Sequence, residues 1–385
     1  MTGPLNLTLD TLKAQIQLEN SEQVRADALE KQRRLREWMT QNGYDGVLIS
    51  RRDQFAWLTA GGDSRVLNNA TTGEGHLLIT PDRQYLLAHS MDALRLFEEQ
   101  VAGQNYELVT LRWHQGDPRE RARSLAGPRL AADTPLPGAD NVNEQLNHLH
   151  FPLTPLEIAR LRWLAGRTSS ILEDMALWVQ PGMTEQMIAR QMHARFIQEG
   201  IDLDVLIVGS DERAARYRHP LPTSRIVEHY LILHPAARRW GLHANVTRTV
   251  SFGQPAPEIQ RAYQAAAAVE ARVLAMLKPG VRFADILAKQ KEWYAELGYP
   301  GEWENHFQGG PTGYAVVDAG RCLTDTCVEN NQSFDWFITV TGAKVEELTL
   351  LTEAGVEILS FSDRWPGLIV ETAGKRLCVP DMLVR

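Results

Sequence analysis

Apolar positions along the chain switch between helical and strand-like periods, and the switches mark its elements. Residues 21–41 carry the pattern of a polar, charge-rich helix, and the Asn42-Gly43 pair that follows is a helix-ending signal, because glycine accepts the left-handed backbone of a C-terminal cap. An apolar strand is expected over 46–50, followed by an apolar-aromatic stretch around Phe55-Ala56-Trp57-Leu58. Residues 77–88 read LLIT-PDRQ-YLLA, two apolar runs about a Pro-Asp turn, which predicts a hairpin. A further helix is expected over 91–100. Strands interleaved with helices make 21–150 an α/β domain.

The clearest boundary follows His150-Phe151-Pro152-Leu153. In Thr154-Pro155-Leu156-Glu157, Thr154 can cap a helix, Pro155 suits its first position, and Glu157 sits where a carboxylate reaches back to complete a capping box. A long helix to about residue 179 is predicted, stopped by Pro181-Gly182, and Thr184 caps a second that ends near Gly200. About a hundred residues on the arrangement recurs: a helix over 258–277, the stop Pro279-Gly280, and a helix over 283–297 ended by Gly298. This points to two pseudo-equivalent halves in a second domain, 151–385. The plainer alternative is that Pro-Gly is merely a common helix stop. Strands are expected over 206–208, 230–233, 246–252, 333–341, 348–352 and 368–371, which makes the second domain α+β or mixed α/β.

Composition narrows the function classes. The chain has 385 residues, 48 acidic and 40 basic side chains (net −8) and 44% hydrophobic residues, the profile of a globular protein rather than a disordered one. A net acidic chain lacks the field that gathers phosphate backbones, so no nucleic-acid partner is expected. No membrane association is expected either, since no stretch approaches the roughly 20 apolar residues that span a bilayer and the N-terminus has no apolar core of a signal peptide. Three cysteines, Cys322, Cys327 and Cys378, with no C-x-x-C pair suit a reducing, cytoplasmic setting. Cys322 and Cys327 read as buried or inert rather than as a redox pair.

Averaging hides one segment. Residues 205–250 hold seven arginines, no lysine and three acids, a local balance of +4, together with His219, His229, His234 and His243. The planar guanidinium grips carboxylates and phosphates with two parallel hydrogen bonds, so an anionic ligand is one reading. A solvated basic face is the other.

Taken in order, Arg218-His219-Pro220, Leu231-Ile232-Leu233-His234, Asn245-Val246-Thr247-Arg248-Thr249, His306-Phe307-Gln308-Gly309-Gly310, Val345-Glu346-Glu347 and the closing Thr352-Glu353-Ala354-Gly355 form a series that resembles the creatinase, prolidase and aminopeptidase P family, over about residues 21–365. The resemblance implies an N-terminal creatinase-like α/β domain plus a C-terminal pita-bread α+β domain, the latter two related halves of paired helices over a curved antiparallel sheet. It also implies five positions that hold two divalent metals in the peptidases of the family. Here these fall on His234, Asn245, His306, about Phe337, and Glu346, so two of the five ligands remain. Two dications need several carboxylates to neutralise and bridge them; Asn245 is a neutral, weaker donor and Phe337 is none. No metal or other cofactor is therefore expected. A single metal at His234, His306 and Glu346 is the alternative, and would make a reduced Xaa-Pro-type aminopeptidase or dipeptidase.

Creatinase is the metal-free branch of the family, and the resemblance places its acid/base histidine at His219. Imidazole titrates at about 6.5, so it can take a proton from water and return it to a leaving nitrogen. The expected function is a metal-independent hydrolase of a C–N bond, amide or amidine-type, in a small carboxylate-bearing substrate. His219 is the expected general acid/base, with His306 and Glu346 positioning water or substrate. Arg218, His234, Arg239, Trp240, Arg248 and Trp336 are the substrate-contact candidates, although Arg248 suits a structural role equally and core packing is the plainer role for Trp240 and Trp336 taken singly. Gly309-Gly310-Pro311-Thr312-Gly313 is a candidate for backbone amides that approach an oxyanion. The resemblance further implies a homodimer whose first domain reaches the partner's site through Arg51, Arg52 and Phe55. The competing class is a catalytically dead relative that binds peptides.

Overall fold

Asn20 and Gly43 bracket the first helix, α1 (Ser21–Asn42): the Asn20 side chain accepts from the backbone of Glu22 at 2.9 Å and Gln23 at 3.3 Å, and Gly43 takes a φ of 69°. The computed structural model describes residue 15 and residues 17–316 and 326–385. It divides into two compact units, one running through His150 together with Thr154–Arg160, the other comprising Phe151–Leu153 and Leu161–Arg385.

In the first unit, β1 (Gly46–Arg51) runs through the middle of a six-stranded sheet. The apolar-aromatic stretch forms the short helix α2 (Arg52–Leu58), and the predicted hairpin forms as β2 (Thr72–Ile79) and β3 (Gln84–His89). With β4 (Glu107–Leu111), β5 (Leu130–Ala132) and β6 (Asp140–Asn141) the strand order is β4-β3-β2-β1-β5-β6. Leu48, Ile49, Leu77, Leu78, Leu86 and Leu87 are all fully buried, because both faces of the sheet are covered, and that is why these strands read as unbroken apolar runs. The helix expected over 91–100 is shorter, an α-helical turn Ala93–Arg95 continuing into the π-turn Leu96–Gln100. Phe55 is fully buried in this unit, so it cannot make the intersubunit contact the sequence offered it for.

The capping box forms as predicted. Thr154 donates its backbone N–H to the Glu157 carboxylate at 2.7 Å, the Glu157 N–H returns to Thr154 Oγ1 at 3.3 Å, and α3 (Pro155–Trp178) follows.

The second unit is built twice. Helices α3 and α4 (Glu185–Gln198) meet at Pro181-Gly182; α5 (Pro257–Met276) and α6 (Phe283–Glu296) meet at Pro279-Gly280. Both glycines are left-handed, with φ of 94° and 85°, and each donates its N–H to a valine carbonyl at 2.9 Å: Gly182 to Val227, Gly280 to Val328. The bridges Thr184 to Ile226 and Arg282 to Cys327 repeat the correspondence. A helix stop that happened to recur would not reproduce its long-range partners, so the repeat is one of structure.

Each half contributes a hairpin to the centre. The first is β8 (Tyr230–Arg239) against β9 (Leu242–Asn245) and β10 (Arg248–Ser251), with β7 (Asp202–Ser210) on the other side of β8. In the second, β12 (Gln332–Asp335) lies between β11 (Gly310–Pro311) and β15 (Leu348–Thr352), with β16 (Gly355–Ile358) outside β15; β13 (Ile338–Val340) pairs with β14 (Ala343–Val345). The strand expected over 246–252 begins only at Arg248, and that expected over 333–341 breaks at Trp336-Phe337. The two hairpins meet where each is interrupted: Thr247, just before β10, donates its N–H to the backbone carbonyl of Glu346, in the gap between β14 and β15, at 3.0 Å. Breaking the ladder here re-aims side chains toward a common centre.

Among the described residues no helix is long and apolar enough to cross a membrane. Cys327 is half-buried and Cys378 exposed, while Cys322 lies outside the described residues.

Candidate active site

His219 stands on the loop between β7 and β8, and two buried features place it. Glu185, at the start of α4 and fully buried, accepts from Ser210 N at 2.8 Å, Ser210 Oγ at 2.9 Å, Arg213 Nε at 3.2 Å, Thr223 N at 2.9 Å and Thr223 Oγ1 at 2.7 Å, pinning both ends of the loop to one carboxylate. Gly209 lets Pro220 dock on β7, since a Cβ there would fall 2.3 Å from the Pro220 ring. His306 is placed similarly. Gly309, at φ 87°, brings its loop onto the second hairpin, where a Cβ would lie 2.1 Å from the Asp335 carbonyl oxygen.

These loops bring the two imidazoles together, Nε2 to Nε2, at 3.1 Å. The neighbouring contact settles the proton. His306 Nδ1 lies 2.5 Å from the Phe307 carbonyl, which only accepts, so Nδ1 carries the hydrogen and Nε2 is a lone pair. His219 must then donate from Nε2, which leaves its Nδ1 as the basic atom. His219 is exposed and His306 half-buried, with Phe337 edge-on to His306 at 5.8 Å.

Behind the pair lies a buried polar cluster. Lys344, 5% exposed, holds its ammonium 2.5 Å from Glu346 Oε2 and 5.6 Å from the centre of the Phe337 ring. His234 is buried, its Nδ1 3.1 Å from Thr247 Oγ1 and 3.7 Å from Glu346 Oε2. The Asn245 amide lies alongside Asp335 and draws its pKa down, but no hydrogen bond of acceptable geometry forms, and all four side-chain atoms lack a partner among the described residues. Further back, Arg248 meets Glu347 Oε1 at 2.5 Å, and Glu347 also accepts from Ser360 Oγ at 2.5 Å. Glu270 of α5 is fully buried beside them.

Four buried carboxyls thus face two buried cations, Lys344 and Arg248. Charge balance is reached if two carboxyls hold protons. Burial, and then the charge of Glu346, pushes Asp335 well above the usual carboxylate range; burial, and then Glu347, does the same to Glu270. Glu347 rises to about 7 by burial, opposed by Arg248. A protonated Asp335 can donate to Glu346, which resolves two buried carboxyls that otherwise have no donor between them. The histidines shift oppositely. Burial and then Lys344 lower all three, His306 to about 4, His234 well below its ordinary value and His219 less, with Arg218 adding to the last. All three are neutral imidazoles near pH 7.

Of the residues expected at the site, the structure gathers His219, His306, His234, Glu346 and Arg218. Arg218 flanks His219 and pairs with Glu302 at 2.5 Å. Other expectations are corrected. Arg248 is buried and engaged by Glu347 and the Thr247 and Ser360 carbonyls, so it is structural. Arg239 and Trp240 sit at the tip of the first hairpin, roughly 17 Å along β8 from His234, where Arg239 stacks on Trp163 and Trp240 and donates to the Glu199 carbonyl. Trp336 packs on Phe283 and Phe334, and with His306, Phe307 and Gln308 it lines a cavity, so a contact with substrate and a packing role both fit it. In the Gly309–Gly313 segment, Gly310-Pro311 is paired as β11, and the Thr312 and Gly313 amides donate to the Ser333 and Ala315 carbonyls, so these amides are engaged away from an oxyanion. Missed from sequence were Lys344, Asp335 and Glu270. Lys344 was readable: two residues before Glu346, it shares that residue's face.

The five positions do not fit a dinuclear metal centre. Asn245 is neutral, Phe337 has no donor, and the Glu346 carboxylate already faces an ammonium. Among the described residues no three His, Cys, Asp or Glu side chains converge so as to hold a metal ion. Of the three residues of the single-metal alternative, His306 presents its Nε2 to His219.

Comparison with known proteins agrees with the architecture. The profile of metallopeptidase family M24 matches residues 159–343, and that of the creatinase/prolidase N-terminal domain matches residues 31–134. An uncharacterized peptidase of Staphylococcus aureus (strain MW2) is 22% identical over 224 residues, covering 54% of this chain and 62% of that protein, so the match spans less than two thirds of the curated relative. Among solved structures, an Xaa-Pro dipeptidase from Bacillus anthracis superposes with a TM-score of 0.72 at 19% identity, covering 93% of this chain and 100% of that one. The dipeptidase PepE from Mycobacterium ulcerans gives 0.75 at 18% identity, covering 94% and 98%. Likeness at this level establishes the fold.

Proposed function

The chain belongs to the creatinase, prolidase and M24 metallopeptidase family, and from that premise we propose that it hydrolyses an amide-type C–N bond in a small substrate without a metal. The observation that carries this reading is the oriented imidazole pair, His219 Nε2 on His306 Nε2 at 3.1 Å. It leaves a neutral, exposed Nδ1 on His219, held in one tautomer by a neighbour whose own tautomer is fixed by a backbone carbonyl. In the reaction, Nδ1 of His219 takes a proton from water as the water oxygen adds to the carbonyl carbon. The resulting imidazolium returns that proton to the leaving nitrogen. Arg218, next to His219 in the chain, pairs with Glu302 at 2.5 Å. The reading includes a cytoplasmic homodimer acting on a small molecule or short peptide.

The test is turnover of N-acyl amino acids, Xaa-Pro dipeptides and guanidino acids by protein whose metal content is measured by elemental analysis. Hydrolysis that survives chelation and is lost in His219→Ala supports the reading. Activity that requires stoichiometric zinc, manganese or iron, or that His219→Ala retains, overturns it. Absence of turnover across the panel favours the non-catalytic, peptide-binding relative.

A further inference from the structure

We propose that Lys344 is the electrophile of this site, its ammonium binding the carbonyl oxygen of the scissile bond and the oxyanion that forms there. The inference rests on the hydrolytic reading above and deepens it. Hydrolysis of an amide develops negative charge on oxygen, and a site must offer fixed positive charge or N–H donors at that point. The backbone segment that might have done so is paired as a strand, and Arg239 and Arg248 are engaged elsewhere. Lys344 remains. Its aliphatic stem is buried, and one N–H direction is fixed by Glu346 at 2.5 Å. An ammonium has three N–H groups, and among the described residues the one carboxylate that Lys344 pairs with is that of Glu346.

Its position argues for the reacting bond rather than a remote end of the substrate. The Lys344 ammonium and the His306 imidazole both lie against the Phe337 ring, at 5.6 and 5.8 Å, and His306 meets His219 at 3.1 Å, so the charge of Lys344 lies in the same enclosure as the base. Glu346 keeps it aimed, and Phe337 walls it on one side. The step balances without any co-reactant. Water oxygen bonds to the carbonyl carbon while its proton passes to Nδ1 of His219, and the carbonyl π pair becomes an oxyanion held by Lys344. Collapse re-forms the C=O bond, breaks C–N, and the imidazolium protonates the departing amine.

A phosphinic pseudodipeptide, whose tetrahedral anionic phosphorus resembles that intermediate, is the probe. Calorimetry should show binding to the unaltered protein, a loss of roughly 10- to 100-fold in Lys344→Gln, and retention within a few-fold in Lys344→Arg. His219→Ala should bind the phosphinate nearly as the parent does while losing turnover of the substrate panel. No binding to the parent, or equal binding by Lys344→Gln, overturns the proposal. If Lys344→Gln retains turnover that His219→Ala has lost, the hydrolase reading stands and the role of Lys344 falls. If nothing is turned over yet the phosphinate binds through Lys344, the anion site stands and the hydrolase falls. Should Lys344→Gln fail to fold, a crystal structure of the parent with the phosphinate decides: an anionic oxygen within hydrogen-bond reach of Lys344 Nζ supports the assignment, and one placed elsewhere overturns it.

Discussion

His306 accepts a hydrogen bond from His219, Nε2 to Nε2 at 3.1 Å, and cannot reciprocate because its own hydrogen is held on Nδ1 by the Phe307 carbonyl. His306 is therefore a positioning residue for its neighbour. His306→Phe keeps a planar ring but removes the acceptor, so His219 is free to rotate and to change tautomer. The expected outcome is a fall in kcat of roughly 10- to 100-fold with KM little altered, and partial recovery in His306→Gln, which restores an acceptor. Equal losses in both variants would argue that only the ring's bulk matters.

The charge of Lys344 reaches His219 as a lowered pKa, second to burial and ahead of Arg218. Removing that charge must raise the pKa toward about 6.5. Proton NMR titration of the His219 imidazole is expected to show an upward shift in Lys344→Gln and a smaller one in Arg218→Gln, independently of whether either variant turns over substrate. A downward shift or none in Lys344→Gln would place Lys344 outside the enclosure.

Glu270 gives a test of the buried carboxyl cluster through stability. Its folded pKa stands well above that of an unfolded glutamate, so the folded state holds an extra proton between the two values. Stability is then complete below about pH 4 and declines as pH rises toward the folded value. Glu270→Gln mimics the protonated acid permanently. Its melting temperature should match the parent near pH 4–5 and exceed it by several degrees at pH 8. A variant less stable than the parent at pH 8 would mean that Glu270 is ionised and paired in the fold.

A histidine buried in the first unit, His76, carries the opposite sign. His76 is held at about 4 by burial, with Arg119 adding to the effect, so the unfolded chain binds the proton first as pH falls. Its contribution to stability is full above about pH 6.5 and is lost progressively toward about pH 4, by at most about 3 kcal/mol. His76→Gln should flatten that acid limb in thermal melts; an unchanged slope would assign acid sensitivity to other groups.

How far the site could be read in advance followed from the reach of each signal. The caps at Thr154 and Gly43 and the two Pro-Gly stops depend on local backbone chemistry, and each appeared where the sequence placed it. The correspondence of Gly182 with Gly280 also depends on long-range partners, Val227 and Val328, which no local pattern announces. Arginine density over 205–250 misled because composition does not say which way a side chain points. Arg248 turned inward to Glu347, and Arg239 lies beyond the site at a hairpin tip. Of that segment Arg218 stands at the edge of the site, paired with Glu302, and the buried cation beside Glu346 is a lysine outside it. It is visible only once strand alternation puts Lys344 and Glu346 on one face.

Gly309 carries the last prediction, because two separate penalties meet there. At φ 87° any L side chain is strained by about 1–2 kcal/mol. Gly182 has a comparable φ of 94° but open space around it, so Gly182→Ala should show that strain alone, in the range of 1–2 kcal/mol. At Gly309 the added Cβ would also sit 2.1 Å from the Asp335 carbonyl oxygen, 2.7 Å from Trp336 Cα and 2.8 Å from the Phe337 N. These are backbone atoms of the second hairpin, which no rotamer change can move aside. Gly309→Ala should therefore lose on the order of 3–4 kcal/mol, or relieve the clash by lifting the 306–309 loop from the hairpin. Either route separates His306 from His219. Denaturant melts paired with phosphinate binding and turnover distinguish the two routes, and a Gly309→Ala protein as stable and active as Gly182→Ala would show that the loop does not rest on the hairpin.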